Sequence, residues 1–309
     1  MRYKILISVF VLSFLFPATF VGCLSLSKNN RSLFINKKNE ARLKQKKGAW
    51  VSLEKKVRRQ YRRFRGRAGV IVKDLETGSQ ISINPQMSFP SASLVKIPIL
   101  VSCFQAASEG KIDINAKIVL ENKNKAPGSG SLESFPAGTE VNISTLLDLM
   151  ITQSDNTASN TLIDLLTFGY LNDCFKRLGL LNTNIVRVMM DFKGRRNGRD
   201  NFTTVSDIAL ILEKIYQGKV INKDISARCL EILKRQKMHD RIPKYLPVDT
   251  VVAHKTGLEN GVCHDAGIVF TQQGDFLICV LTKHNGKTAK NAKNFIARIA
   301  KDAYDYQIK

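Results

Sequence analysis

The spacing of apolar positions changes several times along the chain. Gly69-Val70-Ile71-Val72 and Ile81-Ser82-Ile83 flank the turn Asp74-Leu75-Glu76-Thr77-Gly78, which predicts a β-hairpin. Phe89-Pro90-Ser91-Ala92-Ser93 then leads into Ile97, Leu100, Val101, Phe104 and Ala107, one face of a buried helix over 97–108 that Gly110 ends. Residues 111–139 read mostly as turn and loop, with Gly128-Ser129-Gly130-Ser131 their most flexible part. A second helix opens at Asn142-Ile143-Ser144, with Ser144 as N-cap, and runs through Leu146, Leu147, Leu149, Met150 and Ile151. It breaks at Gln153-Ser154-Asp155-Asn156 and resumes through Ala158, Leu162 and Leu166. A short helix through 174–178 precedes residues 182–202, a stretch with little periodicity and several Arg, Asn and Gly. So long a loop in a compact domain is usually functional or disordered. Thr203-Thr204-Val205 opens another helix, and a further one spans about 225–233. Strand-like runs at 250–254, 266–270 and 276–281 precede a final helix from about residue 289. Strands at both ends with helices between them predict an α+β fold: an antiparallel five-stranded sheet packed with helices, plus an all-helical subdomain over about 97–250.

The N-terminus follows a different pattern. Arg2 and Lys4 precede an apolar run from Ile5 to Gly22, too brief for a comfortable membrane span, which reads as a signal peptide over 1–23 and an exported protein. Gly22-Cys23 resembles the end of a bacterial lipoprotein signal, which implies lipidation of Cys23; ordinary secretion and an uncleaved anchor are the alternatives. Residues 24–50 are polar and basic and read as a tether, leaving 51–309 as the globular domain.

With 44% hydrophobic residues the chain can bury a sizeable core. Its net charge of +22 is uneven: from Leu24 to Arg67 sixteen Lys or Arg stand against Glu40 and Glu54, a local +14. Val51, Leu53, Val57, Tyr61 and Phe64 recur at helical intervals among those arginines and predict a basic amphipathic helix leading into the domain. Export argues against a nucleic-acid partner. An anionic membrane or a solvated linker without a partner remain open. Cys103, Cys174, Cys229, Cys263 and Cys279 lack metal-site spacing and lie mostly in apolar surroundings, which suits buried small hydrophobes without disulfides.

Ser93 and Lys96 stand one helical turn apart. A serine hydroxyl needs a base to become a nucleophile, and a desolvated lysine can serve as one. The plain alternative is a helix-capping serine beside a surface lysine. Two further triplets follow in order: Ser154-Asp155-Asn156 at the helix interruption and Lys255-Thr256-Gly257 at the end of a strand. The interruption could be an ordinary cap, with Ser154 or Asp155 satisfying the amides of the next helix.

The three triplets together resemble the serine β-lactamase and penicillin-recognising superfamily, nearest to class A, from about residue 50 onward. The resemblance implies that Ser93 becomes acylated with Lys96 as base, and that the amides of Ser93 and Leu258 form an oxyanion hole. It also implies that Ser154 passes a proton to the leaving nitrogen with help from Lys255. Asn156 would hold the substrate's side-chain amide, while Thr256, Gly257 and Lys255 would flank its carboxylate. Arg241, fourteen residues before Lys255, is a further carboxylate partner or else a surface arginine. His254 and His264 flank the same strand, where packing or exposure accounts for them. No metal and no cofactor are implied.

One departure bears on turnover. Class A enzymes carry, in the long loop, a glutamate that activates the deacylating water. No glutamate occurs here from Asn172 to Leu212, and the corresponding stretch is Arg187-Val188-Met189-Met190-Asp191-Phe192. Asp191 is either a substitute deacylation base or the partner of a loop arginine. Three functions remain open: a class A β-lactamase contributing to β-lactam catabolism and antibiotic resistance; a serine acyl enzyme acting on peptidoglycan peptides, or trapped by penicillins, with slow deacylation; and a non-catalytic protein binding cell-wall ligands.

Overall fold

The computed structural model describes residues 48–286 and 288–308. The chain divides into two units, Met1–Ala49 and Trp50–Lys309, and every element below belongs to the second. The signal, Cys23 and nearly all of the basic tether lie outside the described residues.

Helix α1, described from residue 48 and lying in the second unit from residue 50, runs to residue 63 and turns Leu53 and Val57 inward, as the apolar spacing predicts. The hairpin follows as β1 (Arg67–Asp74) and β2 (Gln80–Ile83). Strands β7 (Val252–Glu259), β8 (Val262–Val269) and β9 (Phe276–Lys283) join it in one antiparallel sheet of order β2-β1-β9-β8-β7. Here β3 is the two-residue strand Phe89–Pro90, β4 is Lys117–Val119, β5 is Glu140–Asn142 and β6 is Phe202–Thr203. All eight residues of β8 are buried, so this strand is covered on both faces. Helices α7 (Val205–Tyr216) and α9 (Lys290–Gln307) supply that cover, both packing on β8 and β9.

The helical part is built around α2 (Lys96–Ser108), which buries every residue from Lys96 to Phe104. A helix apolar on all sides belongs at the centre of other helices. Around it lie α3 (Ile143–Thr152), α4 (Asn156–Leu166), α5 (Phe168–Arg177) and α8 (Lys223–Lys234), and α2 packs on each of the four. The predicted α+β architecture, a five-stranded antiparallel sheet with a helical part inserted between its second and third strands in sequence, is the one observed.

Three local expectations change. Asn142, not Ser144, is the N-terminal boundary of α3, and its side chain makes no cap bond. The stretch read as loop over 111–139 contains the strand β4, which pairs with β5 and staples the loop's two ends together. The long loop contains a short helix α6 (Phe192–Arg196), and its closing residues pair as β6 with β3 just before Ser93.

Candidate active site

Ser93 lies in a 3-10 turn, Ala92–Val95, that runs directly into α2. The turn is held from three sides. Ser91 N–H donates to Asn201 O at 2.7 Å, the ring of His264 bonds Pro90 O at 2.8 Å, and β7 packs on the turn. Gly257 permits that last approach, because a Cβ there would stand 3.2 Å from Ala92 Cβ and 3.3 Å from His264 Cδ2. Ala92 itself adopts φ +44, a strained conformation kept by this surrounding frame. The Ser93 hydroxyl is half-buried and makes no hydrogen bond to another described residue.

Lys96, one turn along, is fully buried and so is no surface lysine. Its Nζ donates to Ser154 O at 2.7 Å and Asn156 Oδ1 at 2.8 Å, and lies 3.3 Å from Ser154 Oγ. Lys255, on β7, is equally buried and donates to the same Ser154 Oγ at 3.0 Å and to Thr256 O at 2.9 Å. Two ammonium groups thus converge on one hydroxyl. Burial lowers the pKa of Lys96 to about 7, against the opposing pull of Asp155 and Glu259. Burial, then the neighbouring charges of Lys96 and Arg241, holds Lys255 well below the ordinary lysine range.

The interruption between α3 and α4 is both a cap and part of the cleft. Asp155 Oδ1 accepts from Ala158 N–H at 2.8 Å, capping α4, while its Oδ2 accepts from Ser131 N–H at 2.7 Å and Leu132 N–H at 2.9 Å. The carboxylate therefore pins the Gly128–Ser131 loop to the helix start. Ser154 takes φ +58, which turns its hydroxyl toward the two lysines, and Asn156 Nδ2 donates to Pro127 O at 2.7 Å.

On the sheet side, β7 is an edge strand, so its outer backbone groups are free of sheet partners. Leu258 lies half exposed along it beside buried Thr256. Arg241 is 3% exposed, which removes the surface alternative. Its Nε approaches Cys263 Sγ at 3.3 Å and its Nη1 pairs with Asp240 at 3.3 Å. The five cysteines beyond residue 48 are buried and unpaired. His264 is fully buried; its Nδ1 accepts from Thr282 N–H at 3.0 Å, which leaves Nε2–H to donate to Pro90 O. Burial pulls its pKa down to about 4, so the neutral ring serves as a structural strut under the turn that carries Ser93. His254 pairs with Asp265 at 2.9 Å, deep in the same strands.

The long loop shows what became of the missing glutamate. Met189 is buried, with its N–H and C=O both bonded to the Asn160 side chain, at 2.7 and 3.3 Å. Asp191 caps α6, its Oδ1 accepting from Gly194 N–H at 2.8 Å, and it makes no ion pair with a described arginine. The loop arginines choose other partners. Arg187, Asp200, Arg195 and Glu259 close a ring of four alternating charges, with contacts of 2.8, 3.2, 2.9 and 3.3 Å in turn. Three members belong to the loop, and the fourth follows Leu258 at the end of β7. Sequence reading missed Glu259, Asn160, Asn201 and the strut role of His264. The one local hint was an acid placed two residues beyond the Lys255 triplet.

The family model described as the beta-lactamase enzyme family matches residues 52–307. The extended-spectrum beta-lactamase PER-1 of Pseudomonas aeruginosa is 24% identical over 254 residues, covering 78% of this chain and 82% of that protein. The crystal structure of a beta-lactamase from Sphaerobacter thermophilus is 30% identical with a TM-score of 0.76, covering 84% of this chain and 97% of the other. A structure of a point mutant of PBP-A, an acyl-enzyme complex with penicillin G, is 29% identical with a TM-score of 0.76, over 82% of this chain and 96% of that one. With a match that runs from α1 through α9 and includes all three triplets, this chain belongs to the beta-lactamase enzyme family.

Proposed function

We propose that the chain is a serine β-lactamase of the class A type, opening the β-lactam amide through an acyl-enzyme on Ser93. The observation that carries this reading is the convergence of Lys96 and Lys255 on Ser154 Oγ, at 3.3 and 3.0 Å, with Lys96 one helical turn from Ser93, whose hydroxyl bonds no other described residue. Burial lowers the Lys96 pKa to about 7, so its neutral amine is accessible and can take the proton as Ser93 Oγ attacks the carbonyl carbon. The carbonyl oxygen then becomes an oxyanion, held by the backbone amides of Ser93 and Leu258. As the C–N bond breaks, Ser154 gives its proton to the departing nitrogen and recovers one from the lysine pair. Lys255, Thr256 and Gly257 line the position of the substrate carboxylate, with Arg241 adding positive charge behind them, and Asn156 offers its amide to the acyl side chain.

Release of the acyl group is the step with fewest resources. Asp191 is engaged as a cap, and Asp200 and Glu259 are engaged with arginines. Those commitments favour a second reading, a penicillin-reactive or peptidoglycan-peptide enzyme with a long-lived adduct. The acyl-enzyme of the PBP-A mutant with penicillin G is a precedent for such an adduct on this fold. Exposure to a chromogenic cephalosporin and a labelled penicillin, followed by absorbance and intact mass, separates the two readings. Sustained turnover supports the first and a persistent adduct the second. Absence of both overturns each, and Ser93→Ala must abolish any adduct.

The N-terminal sequence supports export, with lipidation at Cys23 and the basic tether holding the enzyme near a membrane. Labelling with a fatty-acid analogue, lost in Cys23→Ser, tests the anchor.

A further inference from the structure

A second cleft, away from Ser93, opens between the C-terminal end of α1 and the first half of α9, with a volume of about 820 Å³. Arg63, Arg65 and Arg298 line it, and no carboxylate does. Asn285, Asn291 and Thr288 add neutral donors at its rim. Phe64 and Phe295 stack at 4.5 Å in its wall, fixing α1 against α9. All three arginines are exposed, and none of their guanidinium groups makes an ion pair or hydrogen bond with another described residue. Guanidinium groups left unpaired around a concavity suit the oxygens of a phosphate, which they can bind in bidentate fashion.

The surrounding surface continues the same sign. Arg59 and Arg62 are exposed on α1, opposite the buried Leu53 and Val57, while Arg58, also exposed, pairs with Glu54 at 2.8 Å. Arg67 and Lys283 are cross-strand partners in β1 and β9, both exposed. Like charges set directly opposite one another destabilise a sheet, and an anion lying over the pair removes that repulsion. Gly66 allows the chain to drop from α1 onto β9, because a side chain there would collide with Lys283 O. The result is an extended basic face, broader than one small anion can satisfy.

We propose that this face docks on an anionic phospholipid surface, with a headgroup phosphate seated in the Arg63, Arg65 and Arg298 cleft. A lipid surface presents many phosphates in one plane, which is what a row of arginines along a helix can engage together. The sequence ahead of α1 is of the same kind, an apolar run over 5–22 followed by a basic stretch. The docking face belongs to the folded domain and does not depend on Cys23 or on the chemistry at Ser93.

The test is sedimentation of the full chain with vesicles of phosphatidylglycerol and phosphatidylcholine, compared with vesicles of phosphatidylcholine alone. The variant Arg63→Gln/Arg65→Gln/Arg298→Gln should lose about a hundredfold in partitioning to the anionic vesicles, near fivefold for each charge. The control Lys176→Gln/Lys219→Gln/Lys237→Gln removes the same net charge from elsewhere and should lose less than about threefold. Thermal melting and Ser93 acylation confirm that both variants are folded. Equal losses in the two variants would reduce the effect to net charge and overturn the site. Binding of soluble glycerol phosphate in the cleft, without preference for vesicles, would overturn the membrane assignment.

Discussion

The carboxylate of Asp191 accepts the amide hydrogen of Gly194 at 2.8 Å, closing the first turn of α6. That bond turns the sole acid between Arg187 and Arg199 into a structural cap. Asparagine caps helices about as well as aspartate. Asp191→Asn should therefore leave both acylation and turnover within about threefold, and Asp191→Ala should cost about 1 kcal/mol of stability. Stopped-flow absorbance and thermal melting measure the two effects; arrest of turnover in Asp191→Asn with acylation intact would restore Asp191 as the base.

Under the proposed mechanism, Lys96 sets the pH dependence of acylation. Its pKa in the folded protein is lowered to about 7, and in that mechanism the neutral amine takes the Ser93 proton. The acylation rate should climb as pH rises through about 7 and level off above it. Lys96→Ala should lower that rate by at least about a hundredfold and erase the profile. Pre-steady-state rates from about pH 5 to 9 test both statements.

His264 links stability to acid. Its folded pKa of about 4 lies below the unfolded value, so the unfolded state binds more protons between the two. The stabilising contribution is complete above about pH 6.5 and is lost as pH falls toward 4, roughly 3 kcal/mol in all. Denaturant unfolding should show this slope in the native chain and a flatter one in His264→Gln.

The ring of Arg187, Asp200, Arg195 and Glu259 ties the loop to β7. Glu259→Gln leaves two arginines sharing one carboxylate, at a cost on the order of 2 kcal/mol, since a part-buried charge loses its partner. Amide hydrogen exchange over 187–200 should quicken, while α2 stays protected. A double-mutant cycle with Arg195→Gln should return a coupling above about 0.5 kcal/mol.

The strands and helices were legible where burial imposes a single period. The hairpin alternates, α7 keeps one apolar stripe, and α2 is apolar throughout. Ser144 was misread as a cap because cap residues are recognised by type, whereas the end of α3 is set by the pairing of β5 with β4. At Asp191 the sequence left a base and an ion pair open for a related reason. An acid near the expected place suggested chemistry, but the direction of its side chain depends on α6, a helix of five residues that periodicity cannot register.

Spacing and residue type along the chain were enough to settle the α+β architecture and the order of the three triplets, because both are local properties. What each group can do was settled by folding. Residues 58 and 101 positions apart brought Lys96 and Lys255 onto the Ser154 hydroxyl, and their burial there is what loosens their protons. Glu259 became a loop clasp and His264 a strut by meeting residues 64 and 174 positions away. Proton affinity and ion pairing depend on distance in space and on access to water, and a linear sequence specifies neither until it folds.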